Sequence, residues 1–115
     1  MKLITRPIRE ALLRNGRLSA AGEDTSQVKP VLKLFTPWAG ATWLISECNP
    51  EEETRLFGLC DLGLGLPELG YVDLRELQAL RGPAGLKVER DRFFEPRMTL
   101  LAYAGAASAA GHIAA

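Results

Sequence analysis

The stretch Phe57-Gly58-Leu59-Cys60-Asp61-Leu62-Gly63-Leu64-Gly65-Leu66-Pro67-Glu68-Leu69-Gly70-Tyr71-Val72 decides how this 115-residue chain is built. Its apolar residues are interrupted by glycines, one proline and two isolated carboxylates. Glycine in such a stretch indicates an unusual backbone angle or the close approach of another backbone. We therefore interpret it as a shaped loop between two buried strands, at residues 57–62 and 69–72.

Further strands are expected on both sides of this stretch. Residues 31–35 and 41–46 are rich in strand formers, and the short turn between them predicts an antiparallel hairpin. Residues 86–90 alternate apolar and charged side chains, which is typical of a half-buried strand.

Three helix starts are indicated by capping residues. Residues 5–15 form a helix with Thr5 as its cap and an Asn-Gly stop at residues 15–16. A short helix is predicted to start at Asn49-Pro50, because acidic residues follow it in the first turn. A third begins after Asp73 and ends at Gly82-Pro83.

These elements predict an α+β fold: a mostly antiparallel sheet of four or five strands, with two or three short helices packed on one side. Residues 1–103 form a single domain, and the Ala/Gly-rich residues 104–115 are expected to be a loosely ordered tail. The predicted core consists of Leu34, Trp43, Ile45, Leu59, Leu62, Val72, Leu77 and Val88.

The charge pattern excludes some functions. The net charge is zero, but residues 47–76 hold eight acidic and only two basic side chains. This balance disfavours strong non-specific DNA binding, and equally the mimicry of DNA. Two cysteines and one histidine cannot supply a four-ligand zinc site without a carboxylate ligand. Since no apolar run could span a bilayer and no signal-peptide pattern is present, we expect a cytoplasmic protein.

Three carboxylates surround the glycine-rich stretch. Asp61, Glu68 and Asp73 could hold Mg²⁺ or Ca²⁺, and Asp61 with Glu68 could serve a metal-dependent hydrolase. The alternative is structural: the first two accept backbone N–H bonds that shape the loop, and Asp73 caps a helix. The structural alternative is favoured, so we predict no cofactor and no catalytic residue.

Two other groups could bind a macromolecule. Trp38 lies at a turn, where it could anchor a partner or close one end of the core. With it we group the acidic and aromatic candidates for partner binding: Glu51, Glu52, Glu53, Asp61, Glu68 and Tyr71. Basic residues next to Phe93 and Phe94 could bind single-stranded nucleic acid. These are Arg90, Arg92 and Arg97.

The order of residues from Val31 to Tyr103 resembles a bacterial domain family of unknown function. The resemblance rests on motifs such as Lys33-Leu34-Phe35-Thr36-Pro37, Ala41-Thr42-Trp43-Leu44, the glycine-rich stretch at 57–72, Arg81-Gly82 and Glu89-Arg90-Asp91. Members of this family look like accessory proteins carried on plasmids and integrative conjugative elements. The resemblance carries over no catalytic residues.

The function that these observations favour is a non-catalytic protein-interaction module. The resemblance implies an accessory protein of a mobile element, and an inhibitor of a host defence system is one such role. The chain is small, its charge is segregated, and it holds no nucleophile–base pair. The alternatives left open are the metal-dependent hydrolase and a single-stranded nucleic-acid-binding protein.

Overall fold

The computed structural model describes residues 2–115 and confirms the α+β class. Five antiparallel strands form one sheet in the order β4-β3-β2-β1-β5. The strands are β1 (Leu32–Phe35), β2 (Thr42–Asn49), β3 (Glu52–Asp61), β4 (Glu68–Asp73) and β5 (Glu89–Arg90), and the helices are α1 (Arg6–Ala20), α2 (Leu74–Ala79) and α3 (Leu100–Ala110). Single 3₁₀ turns lie at Thr25–Gln27 and Pro83–Gly85.

Helices cover both faces of the sheet rather than one. Along β2, Trp43 and Ile45 belong to a core cluster with residues of α1 and α2, whereas Leu44 between them belongs to a second cluster with α3. Successive strand residues point to opposite faces. Because β2 is apolar on both faces, a single helical layer would leave Leu44 and the equally buried Leu59 in water. α3 therefore packs opposite α1 and α2.

The predicted helix at Asn49-Pro50 is wrong. β2 runs on to Asn49, and β3 starts at Glu52 after a tight turn. The Asn49 side chain accepts a hydrogen bond from the Glu51 backbone N–H at 2.9 Å, so it shapes a turn instead of capping a helix. β3 pairs with both β2 and β4. The hydrogen bonds of these two ladders stabilise a strand more than the local sequence stabilises a single helical turn.

Helix α1 is longer than predicted, because Gly16 is not its stop. The helix continues to Ala20, and the buried Gly16 lies against the backbone of β2. A Cβ placed on Gly16 would lie 1.9 Å from the carbonyl oxygen of Cys48. The neighbouring Asn15 side chain donates a hydrogen bond to the Ser46 carbonyl at 2.9 Å. Gly16 thus allows close contact between helix and sheet because it has no side chain. Its backbone stays helical.

The predicted core is largely confirmed, with one clear error. Six of its residues are buried: Leu34, Trp43, Ile45, Leu59, Leu77 and Val88. Val72 is half-buried against the first cluster. Leu62, however, is 61% exposed. β3 ends at Asp61, so Leu62 is the first residue of a loop. The strand predicted at residues 86–90 is also shorter, since only Glu89–Arg90 pairs with β1.

The C-terminal residues extend the last helix. The Thr99 hydroxyl caps α3 by accepting the Ala102 N–H, and Gly111 ends the helix at a φ of 79°. Tyr103 and Ala107 are buried on the sheet. The boundary at residue 103 and the loose order of residues 104–115 stay predictions. Among the helices within residues 2–115, none combines the length and the apolar character that crossing a lipid bilayer requires.

Candidate interaction surface

The loop that joins β3 to β4 exposes three leucines. We call residues 62–67 the leucine loop. Leu62, Leu64 and Leu66 are 61%, 78% and 79% exposed. Gly63 and Gly65 between them have φ values of 80° and 83°, a conformation that favours glycine. Contiguous exposed apolar side chains mark interaction sites more often than isolated ones do. The sequence predicts a shaped loop here, but not the exposure of its leucines, since Leu62 is expected in the core.

The leucine loop is held at its base by a buried carboxylate. Asp61 is 2% exposed. Its Oδ1 atom accepts the Gly63 N–H at 2.8 Å, and its Oδ2 atom accepts the Ile113 N–H at 2.9 Å. The side chain therefore ties the leucine loop to the segment that follows α3. This confirms the structural alternative for Asp61, in which the carboxylate accepts backbone N–H groups.

Asp61 and Glu68 do not share a site. Glu68 pairs with Cys60 across the β3–β4 ladder, and paired residues lie on the same face. Asp61 is the next residue along β3, so it points to the opposite face. Glu68 is exposed, and residues 2–115 contain no group of three potential metal ligands close enough to hold an ion. The arrangement does not bring the two carboxylates onto one ion.

An apolar groove continues the surface beside the leucine loop. It has a volume of about 310 Å³. The buried Trp43 and Leu77 line it together with the more exposed Leu62, Tyr71 and Leu80. The groove and the leucine loop form what we call the leucine surface.

Tyr71 carries a rigid aromatic side chain at the edge of the groove, on the face of β4 opposite to that of Val72. It is 64% exposed. Its ring meets Phe57 edge-on at 5.0 Å between centroids, and the Arg55 guanidinium lies 4.3 Å from the ring centre. Rings held in this way lose little conformational entropy when a partner covers them.

Cys60 lines the same groove, but its thiol is a poor nucleophile. Burial, and then the nearby Glu68 carboxylate, raise the pKa of the Cys60 thiol to about 11. Burial also raises the pKa of Cys48. Only the thiolate is a good nucleophile, so both thiols are protonated at neutral pH.

We expect iodoacetamide to label neither cysteine of the folded protein at neutral pH, and the labelling of Cys60 to accelerate only as the pH approaches 11. Mass spectrometry of the intact chain measures the incorporation. The same protein in guanidinium serves as the positive control and should take up two labels. Rapid labelling of folded Cys60 at neutral pH would show that the thiol is not buried in this way.

Only part of the acidic segment carries uncompensated charge. Glu53 forms a two-point ion pair with Arg9 of α1, at 2.6 and 3.0 Å. The Arg9 guanidinium lowers the pKa of Glu53, and Glu53 raises the pKa of Arg9. Asp73 caps α2 as predicted and pairs with Arg75. Within residues 47–76, the exposed acidic residues that form no ion pair with the described part of the chain are Glu51, Glu52, Glu68 and Glu76.

Trp38 lies at one end of the core. Its half-buried ring packs against the first core cluster and covers Gly82, where a Cβ would lie 2.2 Å from the ring. Of the two interpretations of Trp38, this geometry favours the one in which it closes the core. It is not among the residues that line the groove.

The three arginines considered for nucleic acid differ in their environments. Arg90 donates hydrogen bonds to the carbonyls of Lys2 and Leu3, at 2.5 and 3.3 Å, and so holds the N-terminal segment. Arg90 and Arg92 both line a cavity of about 520 Å³, together with Phe93, which is 87% exposed. Arg97 is exposed and does not line that cavity. The structure therefore brings Arg90, Arg92 and Phe93 to one cavity, but not Arg97.

One comparison with known proteins identifies a related family. A family model described as a protein of unknown function (DUF2958) matches residues 3–114, nearly the whole chain. Comparisons with curated proteins and with solved structures give no significant match.

Proposed function

The chain belongs to the DUF2958 family, whose function is unknown, and from that premise we propose that it is a non-catalytic module that binds another protein through the leucine surface. The observation that carries the proposal is the exposure of Leu62, Leu64 and Leu66 on one loop whose base is fixed by Asp61. Exposed apolar side chains on a shaped loop, next to an apolar groove, fit a partner protein.

The energetics of this surface support binding. Full burial of a leucine side chain contributes about 1.5–3 kcal/mol, so three exposed leucines could supply much of a specific interface. Asp61 accepts hydrogen bonds from both the leucine loop and residue 113, so it fixes the loop in place before a partner arrives. A pre-ordered loop reduces the entropy that association would otherwise cost.

The wider context of the proposal comes from the resemblance. It suggests an accessory protein of a plasmid or integrative conjugative element, acting in the cytoplasm of the host. A partner from the host cell, such as a component of a defence system that the module inhibits, is the finer form of this proposal.

The alternatives receive less support from the same geometry. A hydrolase would need Asp61 and Glu68 on one ion, whereas both Asp61 oxygens accept backbone N–H groups and Glu68 points to the opposite face. A nucleic-acid site would need free basic groups, whereas Glu89 and Asp91 line the same cavity as Arg90 and Arg92, and Arg90 donates to backbone carbonyls.

We expect the double variant Leu64→Ser/Leu66→Ser to lose at least one protein that the wild-type chain retains from a host lysate. The two leucines are exposed, so the variant should fold and unfold like the wild type. Immobilised chains and quantitative mass spectrometry give the measurement. Leu101→Ser, which changes an exposed leucine of α3, is the matched control and should retain the same proteins as the wild type. Identical retention by the wild type and the double variant would contradict the proposal.

A further inference from the structure

Strand β4 leaves one side of the sheet open. It pairs with β3 along its whole length, and no other strand within residues 2–115 pairs with its outer side. In an antiparallel ladder the N–H and C=O groups of alternate residues point away from the neighbouring strand. The six residues from Glu68 to Asp73 include no proline and no lysine, which natural proteins use to protect such edges. β4 is therefore a free template for another strand.

The open edge lies next to the leucine surface. Tyr71 and Val72 of β4 line the apolar groove, and the leucine loop leads directly into Glu68. A strand added to β4 would lie about 4.8 Å from it. The side chains on one face of the added strand would then reach the groove. Its backbone would form hydrogen bonds with the outward N–H and C=O groups of β4.

We infer that the partner binds by strand addition: an extended segment of another protein pairs with β4 and places apolar side chains against the groove. This inference rests on the proposed function, since it specifies how the leucine surface is used. Main-chain hydrogen bonds supply affinity in this mode, and alternate side chains supply specificity.

Charge selects the kind of segment. β4 begins with Glu68 and ends with Asp73, and it contains no basic residue. Glu76 of α2 also lines the groove. Asp73 is already paired with Arg75, so the uncompensated charge belongs to Glu68 and Glu76. A segment with apolar residues in its centre and lysine or arginine near Glu68 complements this edge.

A second copy of the chain fits the edge less well. If two β4 strands paired over all six residues, Glu68 of each copy would lie opposite Asp73 of the other. Asp73 would bring a second carboxylate that is already paired with Arg75, and no lysine or arginine of the second β4 would face Glu68. The charge pattern thus favours a foreign basic segment over self-association.

Two synthetic peptides test the inference: Lys-Thr-Val-Thr-Val-Thr-Lys, in which the lysines and valines share one face of the strand, and its counterpart with glutamate at both ends. We expect the lysine peptide to shift the amide resonances of residues 68–73 of the full chain and to slow their hydrogen exchange. The glutamate peptide should bind about tenfold more weakly, because its end residues face like charges. Glu68→Lys should reduce or reverse this preference, and Glu95→Lys, at an exposed glutamate outside β4, should leave it unchanged.

The outcomes separate this inference from the proposed function. If the lysine peptide leaves residues 68–73 unperturbed, or perturbs only residues 62–67, strand addition is wrong. If the resonances of residues 68–73 shift with the concentration of the chain alone, the occupant is a second copy and the inference is also overturned. The lysate experiment with the leucine variants does not depend on either result, so the proposed function stands or fails by itself.

Discussion

The Gly16→Ala variant is expected to lower the free energy of unfolding by about 1–3 kcal/mol, the usual cost of forcing extra volume into a packed contact. Alanine is the better helix former, so an exposed helical site would show the opposite sign. At Gly16, however, the new Cβ would lie 1.9 Å from the Cys48 carbonyl oxygen. Backbone cannot rotate away as a flexible side chain can, so α1 must shift from the sheet. Denaturant unfolding followed by circular dichroism measures the change.

Gly105→Ala is the matched control. Gly105 also lies inside a helix, α3, but nothing lies within 4 Å of a Cβ placed there. The free energy of unfolding of this variant should be higher by about 0.5–1 kcal/mol, because alanine restricts the unfolded chain and favours the helix. If both variants were stabilised, the close contact between α1 and β2 would not exist as described.

Asp61→Ala is expected to cost about 2–4 kcal/mol of unfolding free energy. Removing the carboxylate leaves the Gly63 and Ile113 N–H groups without their acceptor, and each such loss in a partly buried site costs about 1–3 kcal/mol. Asp61→Asn should be milder, since its remaining oxygen can still accept one of the two bonds. Denaturant unfolding measures both variants, and hydrogen exchange should quicken at Gly63 and Ile113 in particular.

Asp24→Ala is the control for this prediction. The Asp24 Oδ1 atom likewise accepts a backbone N–H two residues on, from Ser26, but Asp24 lies in an exposed turn. Water replaces the lost bond there, so the change should be clearly smaller than at Asp61. Equal losses at the two sites would mean that burial of Asp61 does not matter. A loss in Asp61→Ala without faster exchange at Ile113 would argue against the link between the leucine loop and the C-terminal segment.

Much of the fold could be predicted because its signals are local. The strand formers at residues 31–35 and 41–46, joined by a short turn, predict the hairpin of β1 and β2. Asp73 followed by helix-forming residues predicts the start of α2, and its side chain does accept the Arg75 N–H. The wrong prediction of a helix at Asn49-Pro50 also depends on local signals. Its local pattern suits a helix, but pairing with strands on both sides favours β3.

The candidate site was harder to predict, because exposure is not a local property. The pattern Leu62-Gly63-Leu64-Gly65-Leu66 correctly indicates a loop with left-handed glycines, and it says nothing about what covers the leucines. Leu62 was placed in the core because apolar residues usually lie there. Glu68 and Asp61 are close in sequence, yet the register of β3 and β4 puts them on opposite faces.

By itself, the sequence determined the α+β class, the antiparallel strands, the glycine-rich loop and the capping of α2, since each depends on neighbouring residues or on periodicity. Only the tertiary structure decided that α3 covers the second face, that Gly16 is a contact and not a stop, and that β4 is an open edge beside exposed leucines. These three features depend on which distant segments meet, and those contacts arise from the packing of the whole chain.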